Sequence, residues 1–423
     1  MRETSIRLSC ALSLLFTSVA YANPEFPVVH DGRSLGMGGT GQATIDGASS
    51  IAHNPANLDA IDIVGVTLSA TPFILRPKGP FAAPPPDPMT PPTVTQREAD
   101  LAVVPLFFAG FGVRIHERLV LGAAAQVRTG FGASFNNVPE LMGNDLDLTV
   151  AVLELQVPLS IRITDEFSVA VSLRFQQMRI ENTVFDVMDT PMGPAPVVIE
   201  QDMNGFGFVP GATVAFSYQP IPELRLGLTY RSKIKADLEG STDVQVLGGP
   251  TLEFRTETDF ATPHVLQFGA AYSALENRLT FAADFAIRFY DDANNTLVTT
   301  DRATNAPLMG ARPVVLEWDN VYEGRFGVEF KAIENLSLRV GYGISNSATP
   351  DATAQVLTPT PGLFHFVGGG LGLHFGDLDI NLAAGSIINR ETVSPNPPSA
   401  PGRYETRTAL VALSVSYHHG RTQ

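Results

Sequence analysis

The chain of 423 residues carries 28 Lys+Arg against 43 Asp+Glu, a net charge of −15, which argues against nucleic-acid binding by bulk electrostatics. Its hydrophobic fraction of 44% and mean hydropathy of +0.10 suit either a soluble globule or a membrane protein that crosses with strands. The single cysteine, Cys10, lies in the leader, so a disulfide, a thiolate nucleophile and a cysteine metal site are all excluded from the mature chain.

Arg2 and Arg7 flank the start of a short apolar stretch, Leu8 to Val19, and Ala20-Tyr21-Ala22 supplies a small-x-small cleavage pattern. Residues 1–22 therefore read as a cleaved signal peptide, with the mature chain beginning at Asn23. The apolar run is too short for a membrane anchor, and almost none of it precedes Cys10, which argues against a lipoprotein signal. Residues 23–61 alternate poorly and are rich in glycine and small side chains; they are too few to fold alone. They contain Arg33-Ser-Leu-Gly36-Met-Gly38-Gly39-Thr-Gly41 and Asn54-Pro55-Ala56. Gly36-x-Gly38-x-x-Gly41 matches the dinucleotide-binding spacing, but two prolines precede it and Asp46-Gly47 and Asn54-Pro55 follow, where that site needs a buried strand and a helix. No cofactor is expected. The glycines read instead as permissive residues of a plug that turns tightly in a crowded interior.

From residue 62 to 417 the chain alternates with period 2. Leu119, Leu121, Ala123, Ala125, Val127 and Phe131 share one face; so do Phe167 to Phe175, Leu279 to Phe289, and Leu336 to Ile344 at every second residue. The longest later apolar run, Leu101 to Val113, is broken by Pro105 and is short of a membrane helix. Six tight turns are predicted at His116-Glu117, 164–166, 219–222, 275–277, 333–335 and Gly376-Asp377. They alternate with long connections near residues 71–99, 132–147, 181–203, 235–253, 291–316, 346–362 and 389–403. Strict short–long alternation is the pattern of an outer-membrane barrel with periplasmic turns and extracellular loops. Seven long loops and six turns imply fourteen strands with both chain ends on the periplasmic side, and the natural place for residues 23–61 is inside the barrel as a plug. The last strand ends at Tyr417, leaving residues 418–423 as a periplasmic tail.

Several blocks in order carry a family resemblance: Gly32 to Gly41 with His53-Asn-Pro-Ala56, Leu226-Gly-Leu-Thr-Tyr-Arg-Ser232 with Asp237-Leu-Glu-Gly240, Phe260-Ala-Thr-Pro263, and Leu338-Arg-Val-Gly-Tyr-Gly343 with Thr349-Pro-Asp351. The chain resembles the FadL/OmpP1/TodX group of outer-membrane channels for long-chain fatty acids and hydrophobic compounds. The resemblance implies a fourteen-stranded barrel closed by an N-terminal hatch, residues 23–61, in which Arg33, Gly36, Gly38, Gly39, Gly41, Asn54, Pro55 and Ala56 match the hatch motifs. It implies capture of a ligand between extracellular loops, a pocket in the lumen, movement of the hatch, and sideways exit beside a kinked third strand. That strand is expected over 118–132, and Gly130-Phe131-Gly132 is where pairing could lapse.

Candidate capture residues are Val184, Phe185, Val187 and Met188 in one long loop and Val244, Val246 and Leu247 in the next; self-packing of those loops is the competing reading. By parity Arg128, Arg174, Arg231, Arg325 and Arg339 face inward with Glu154, Asp284, Glu323 and Glu329. Arg128, Arg174, Arg325 and Arg339 are candidates to bind a ligand carboxylate, and pairing with the inward carboxylates is the favoured reading for any one of them. The eight histidines show no ligand spacing, so no metal is expected, and no nucleophile–base pair stands out. Expected partners are a hydrophobic small molecule, outer-membrane lipid and lipopolysaccharide, and the barrel-assembly machinery, with the protein a monomer that binds no nucleic acid. The alternative function is a barrel of the same kind that assists secretion or surface assembly.

Overall fold

The computed structural model describes residues 31–83, 93–190, 193–205, 209–293, 296–308, 311, 313–393 and 401–420. The expected signal peptide, residues 23–30 and the last three residues of the expected tail lie outside these. Fourteen strands form the wall: β1 (Val64–Leu75), β2 (Ala102–His116), β3 (Leu119–Val138), β4 (Asn144–Arg162), β5 (Phe167–Thr190), β6 (Val209–Ile221), β7 (Leu224–Arg231), β8 (His264–Ala274), β9 (Leu279–Phe289), β10 (Val321–Ile333), β11 (Leu336–Asn346), β12 (Leu363–Phe375), β13 (Leu378–Val393) and β14 (Gly402–His419). Each pairs antiparallel with the next, and β1 closes the barrel on β14 from Val64↔His419 to Leu75↔Thr408. Closure removes the edges that an open sheet would expose to lipid.

Alternation fixes which side each residue faces. Leu68, Leu173, Phe281, Phe326, Val340 and Leu413 stand on the outer surface and are largely exposed. In water such a belt would be strongly unfavourable, whereas lipid solvates it. The residues between them are buried inside, among them Gln126, Glu154, Arg174, Arg231, Asp284 and Glu329. The tight turns fall where the sequence predicts them, between β2 and β3, β4 and β5, β6 and β7, β8 and β9, β10 and β11, and β12 and β13. Among the described residues no helix is long and apolar enough to cross a membrane.

The long connections differ from expectation in kind. Much of 132–147, 181–203 and 235–253 is strand: β3 and β4 extend to a turn with Met142 and Gly143 at positive φ, and β5 extends to Thr190 and pairs with 193–204. That segment in turn pairs with 234–246, which pairs with 251–262. The period is lost in 181–190, whereas 234–246 keeps it: Ile234, Ala236, Leu238 and Val244 are buried on one face and Lys235, Asp237, Glu239 and Gln245 stand exposed on the other. β14 likewise continues two residues past Tyr417, with His419 opposite Val64.

Candidate transport pathway

Residues 31–61 lie inside the barrel, nearly all buried. Asp31 caps a short helix, α1 (Gly32–Gly36), accepting from the Ser34 N–H at 2.8 Å. Gly36 packs against the Gly370 backbone of β12. Gly38 has φ +74°, and a Cβ there would sit 2.5 Å from Phe326 O and Tyr342 N, so both backbone conformation and space demand glycine. Gly39 O accepts from Arg325 Nη1 at 2.8 Å. The N–H groups of Gly41 and Gln42 donate to one oxygen of Asp284, at 2.7 and 3.0 Å. Asn54 Oδ1 accepts from the Ala56 N–H, while its Nδ2 donates to Gln42 O and to Phe216 O of β6. Pro55 opens the 3-10 turn Pro55–Ala60, at the position where a missing N–H costs nothing. Ala56 O accepts from Ser160 of β4 at 3.1 Å.

Two ion-pair groups tie this segment to the wall. Arg33 donates twice to Glu329, at 3.0 and 2.8 Å, and Glu329 also accepts from Arg339 Nε. At the periplasmic end Asp59 accepts from Arg162 Nε at 2.7 Å and from Ser168 at 2.9 Å, while Arg114 donates to its carbonyl oxygen and lies 3.4 Å from its carboxylate. The Asp59 and Asp284 anchors carry no motif, and only the inward parity of Asp284 signals one of them.

The candidate arginines are all buried in the lumen. Arg174 Nη1 donates to Glu154 at 3.0 Å; Arg231 donates to the other oxygen, and Gln126 and Gln176 complete that carboxylate's shell. Arg128 lies in the same group, close enough to act on Glu154 electrostatically. Arg325 and Arg288 both donate to Glu323, and Arg339 donates to Glu329 and, at 2.7 Å, to Asn381. The lumen thus holds three carboxylate-centred clusters.

Between them the lumen also holds apolar clusters. One buried cluster joins Leu35 of α1 with Phe73 and Leu75 (β1), Ala102 and Val104 (β2), Ala133 and Phe135 (β3), and Phe364, Phe366 and Ile387 on β12 and β13. A second gathers Met178, Ile180, Leu238, Phe260, Tyr290 and Trp318. An aqueous porin lines its lumen with polar groups; here large apolar side chains point inward from strands whose outer faces are also apolar.

The apolar cluster borders an interruption in the wall. β2 and β3 pair from His116↔Leu119 only as far as Phe108↔Gln126. Farther out, the Asp100 N–H donates to Ser134 O at 2.8 Å. Between these points, 101–107 and 127–133 share no ladder among the described residues. The register of β3 against β4 shifts between Val127 and Thr129; this bulge adds one residue and exchanges the two faces beyond it. Ala124 and Gln126 face inward before it, Ala133 and Phe135 after it. Gly130, Phe131 and Gly132 stay in register with Ala151, Val150 and Thr149 of β4, so the irregularity lies slightly nearer the periplasm than those glycines.

Val184, Phe185, Val187 and Met188 lie in the extended part of β5, and Val244 and Val246 in the strand 234–246; Leu247 follows in a turn. Segment 193–204 brings them together, since Ile199 is opposite both Val184 and Val244. Val197, Ile199 and Val244 are buried and Leu247 is exposed. Nearby a cavity of about 590 Å³ is lined by Asp100, Asp147, Glu181, Glu200, Asp202 and Asp243 together with neutral side chains.

At the periplasmic rim, Ser337 Oγ lies 3.0 Å from His374 Nε2, and His374 Nδ1 lies 2.6 Å from Asp379. This Ser–His–Asp alignment escapes sequence reading because strand pairing assembles it. Ser337 is 1% exposed, out of a substrate's reach, so the relay fastens β11 to β12 and β13. Among the described residues no group of three or more His, Cys, Asp or Glu side chains is placed to hold a metal ion.

A family profile described as outer membrane protein transport protein (OMPP1/FadL/TodX) matches residues 15–409. A Pseudomonas aeruginosa FadL homologue superposes with a TM-score of 0.78 at 16% identity, covering 92% of this chain and 98% of its own. The Pseudomonas putida toluene transporter TodX gives 0.69 at 16%, covering 96% and 99%; the Ralstonia pickettii toluene transporter TbuX gives 0.69 at 15%, covering 93% and 99%. At such identities these likenesses concern the fold. No curated protein sequence matches the chain. A closed fourteen-stranded barrel with an apolar outer belt, matched by the family profile over nearly its whole length, makes this chain a member of the outer membrane protein transport protein family (OMPP1/FadL/TodX), located in the bacterial outer membrane.

Proposed function

We propose that this protein lets neutral hydrophobic small molecules, of the aromatic-hydrocarbon class, cross the outer membrane passively. The observation that carries this reading is the inward apolar cluster shared by Leu35, Val104, Phe135 and Phe366, which borders the unpaired stretch between β2 and β3. A greasy cargo would enter from the extracellular side, dwell against these side chains and leave sideways into lipid without meeting water. The description of two structural relatives as toluene transporters supports the same class. Residues 31–61 act on this reading as the hatch that keeps the lumen from becoming an aqueous pore. The arginines favour a neutral cargo over a fatty acid: Arg174, Arg325 and Arg339 already donate to buried carboxylates, and a ligand carboxylate would have to displace them.

Trp318 is the only tryptophan and is buried against Tyr290 in the second apolar cluster, so its emission would report on cargo that passes this cluster on its way to the first. Titration of the purified barrel with toluene should give a saturable change that Trp318→Phe abolishes, while a long-chain fatty acid gives a weaker one. Absence of a saturable response to any hydrophobic probe, in protein that stays heat-modifiable on gels, would sink the proposal. Replacing Gly130 and Gly132 by valine should slow toluene uptake into vesicles without changing the Trp318 titration; normal uptake would remove the sideways exit.

A further inference from the structure

On the outer surface, where β13, β14 and β1 emerge from the apolar belt, the fold collects five cations. Arg390 of β13 stands opposite Glu405 of β14, with Arg403 and Arg407 on either side of that glutamate along the same strand. Glu405 accepts from Arg407 Nε at 2.6 Å, Arg403 Nη2 at 3.1 Å and Arg390 Nη2 at 3.4 Å. Barrel closure brings Arg76, just past β1, to the same site, and Lys78 pairs opposite Glu405. Glu98 lies 3.3 Å from Lys78 and 3.8 Å from Arg76. Five cations thus face two carboxylates in a chain whose net charge is −15. The cationic side chains are 43–66% exposed, while Glu405 is only 11% exposed beneath its arginines. Three guanidiniums offer about fifteen N–H donors and a carboxylate about four acceptor sites, so Glu405 can satisfy only a minority of those donors.

Their height is set by the strand. Ile74, Ala409 and Ile388 occupy the outward positions just below. Arg407 is ten residues along β14 from Tyr417 at the periplasmic girdle. At ~3.3 Å per residue and a tilt of ~40°, that is ~25 Å of vertical rise, about the height of the apolar band of an outer-membrane barrel. The cations therefore stand in the headgroup layer of the outer leaflet, not in the hydrocarbon and not in the extracellular loops.

We propose that Arg76, Lys78, Arg390, Arg403 and Arg407 form a binding site for the phosphate groups of a phosphorylated glycolipid of the outer leaflet. The forked guanidiniums match phosphate oxygens in geometry, and basic residues at a membrane surface attract anionic lipid. Glu405 holds the arginines in place when no lipid is bound and competes with the phosphates for them.

The test is native mass spectrometry of the full chain in detergent, titrated with bis-phosphorylated lipid A and with lipid A lacking its phosphates. The phosphorylated form should bind preferentially. Combined Arg390→Gln, Arg403→Gln and Arg407→Gln should weaken it roughly a hundredfold, about fivefold per arginine. Glu405→Gln should tighten it several-fold, an effect that a merely structural glutamate would not produce. Binding within twofold of the parent in the triple variant, or equal binding of the dephosphorylated lipid, would overturn the proposal. Displacement by inorganic phosphate at millimolar concentration would overturn it too, by reassigning the site to free phosphate. Should the triple variant not fold, the unaltered protein decides: affinity unchanged between about 50 and 500 mM NaCl would refute a phosphate contact at exposed arginines.

Discussion

Asp284 offers the sharpest perturbation of the N-terminal segment. Its carboxylate accepts the successive N–H groups of Gly41 and Gln42 at 2.7 and 3.0 Å, in a site only 8% exposed. Removing the acceptor in Asp284→Ala leaves two buried donors unpaired, at about 2 kcal/mol each, or ~4 kcal/mol. That corresponds to roughly a thousandfold rise in the local opening of residues 36–45. Asp284→Asn keeps the shape and one neutral acceptor, so the loss should be about 2 kcal/mol and roughly thirtyfold. Hydrogen exchange followed by mass spectrometry reads both values on peptides covering 36–45. Peptides covering 54–60 should lose much less protection: Asn54 and Asn57 also donate to Gln42 O, but Asn54 and Asp59 keep their bonds to β6, β4 and β5. Unchanged protection at 36–45 in Asp284→Ala, with the barrel still heat-modifiable, would refute the view that this carboxylate holds the segment.

Three further expectations concern other parts of the molecule. A Cβ at Gly341 would fall 2.0 Å from the Gly38 nitrogen, so Gly341→Ala should displace the segment and raise leakage of small polar solutes from vesicles; Gly324→Ala on the neighbouring strand, with nothing nearer than 3.7 Å, should not. Glu154→Gln leaves Arg174 and Arg231 buried without their shared carboxylate and should lower barrel stability by about 3–5 kcal/mol in urea melts; a loss below ~1 kcal/mol would contradict the ion-pair account. In the turn beyond β3, the hydrogen bond from Arg97 to Glu140, 2.9 Å at Nη2, holds that carboxyl below its ordinary range. Since the folded value is the lower one, the stabilisation is present above the ordinary carboxylate range and is lost as pH falls through the depressed value. Exchange rates in 138–144 should rise on acidification in that window, and Glu140→Gln should flatten the dependence.

Strand number, closure and the tight turns were legible because lipid on one side and a lumen on the other impose alternation along each membrane-crossing strand. The same rule explains part of what was hidden. The extension 181–190 carries no alternation that would mark it, whereas 234–246 does alternate and was hidden by its many charged residues and Gly240, which read as a loop. The bulge at Val127–Thr129 inserts a residue without any compositional sign, and it exchanges faces in the one strand where facing matters most for a sideways exit. The basic cluster is invisible for a different reason: Arg76 and Arg407 are far apart in sequence and meet only because β1 closes on β14. The N-terminal glycines were recognised as packing residues, but their partners Asp284, Arg325 and Gly341 come from strands more than 240 residues away.

On the transport reading, the arrangement of charge and apolar surface bears on how far the segment must move. Its polar anchors, to Asp284 and Glu329 and from its own Asp59 to Arg162 and Arg114, are charge-assisted, and breaking all of them would cost far more than the transfer of one small hydrocarbon returns. The apolar cluster, however, reaches the segment at Leu35 while also lining the unpaired stretch through Ala102, Val104, Ala133 and Phe135. Phe108, at the inner edge of that stretch, packs on Ile51, Leu58 and Ile61 of the segment. A neutral cargo would therefore need to move only the apolar contacts at Leu35 and Phe108, leaving the ion pairs closed. A fatty acid, whose carboxylate would compete for Arg339, would have to open the pair at Glu329, and this difference in cost is why the proposed function favours neutral molecules.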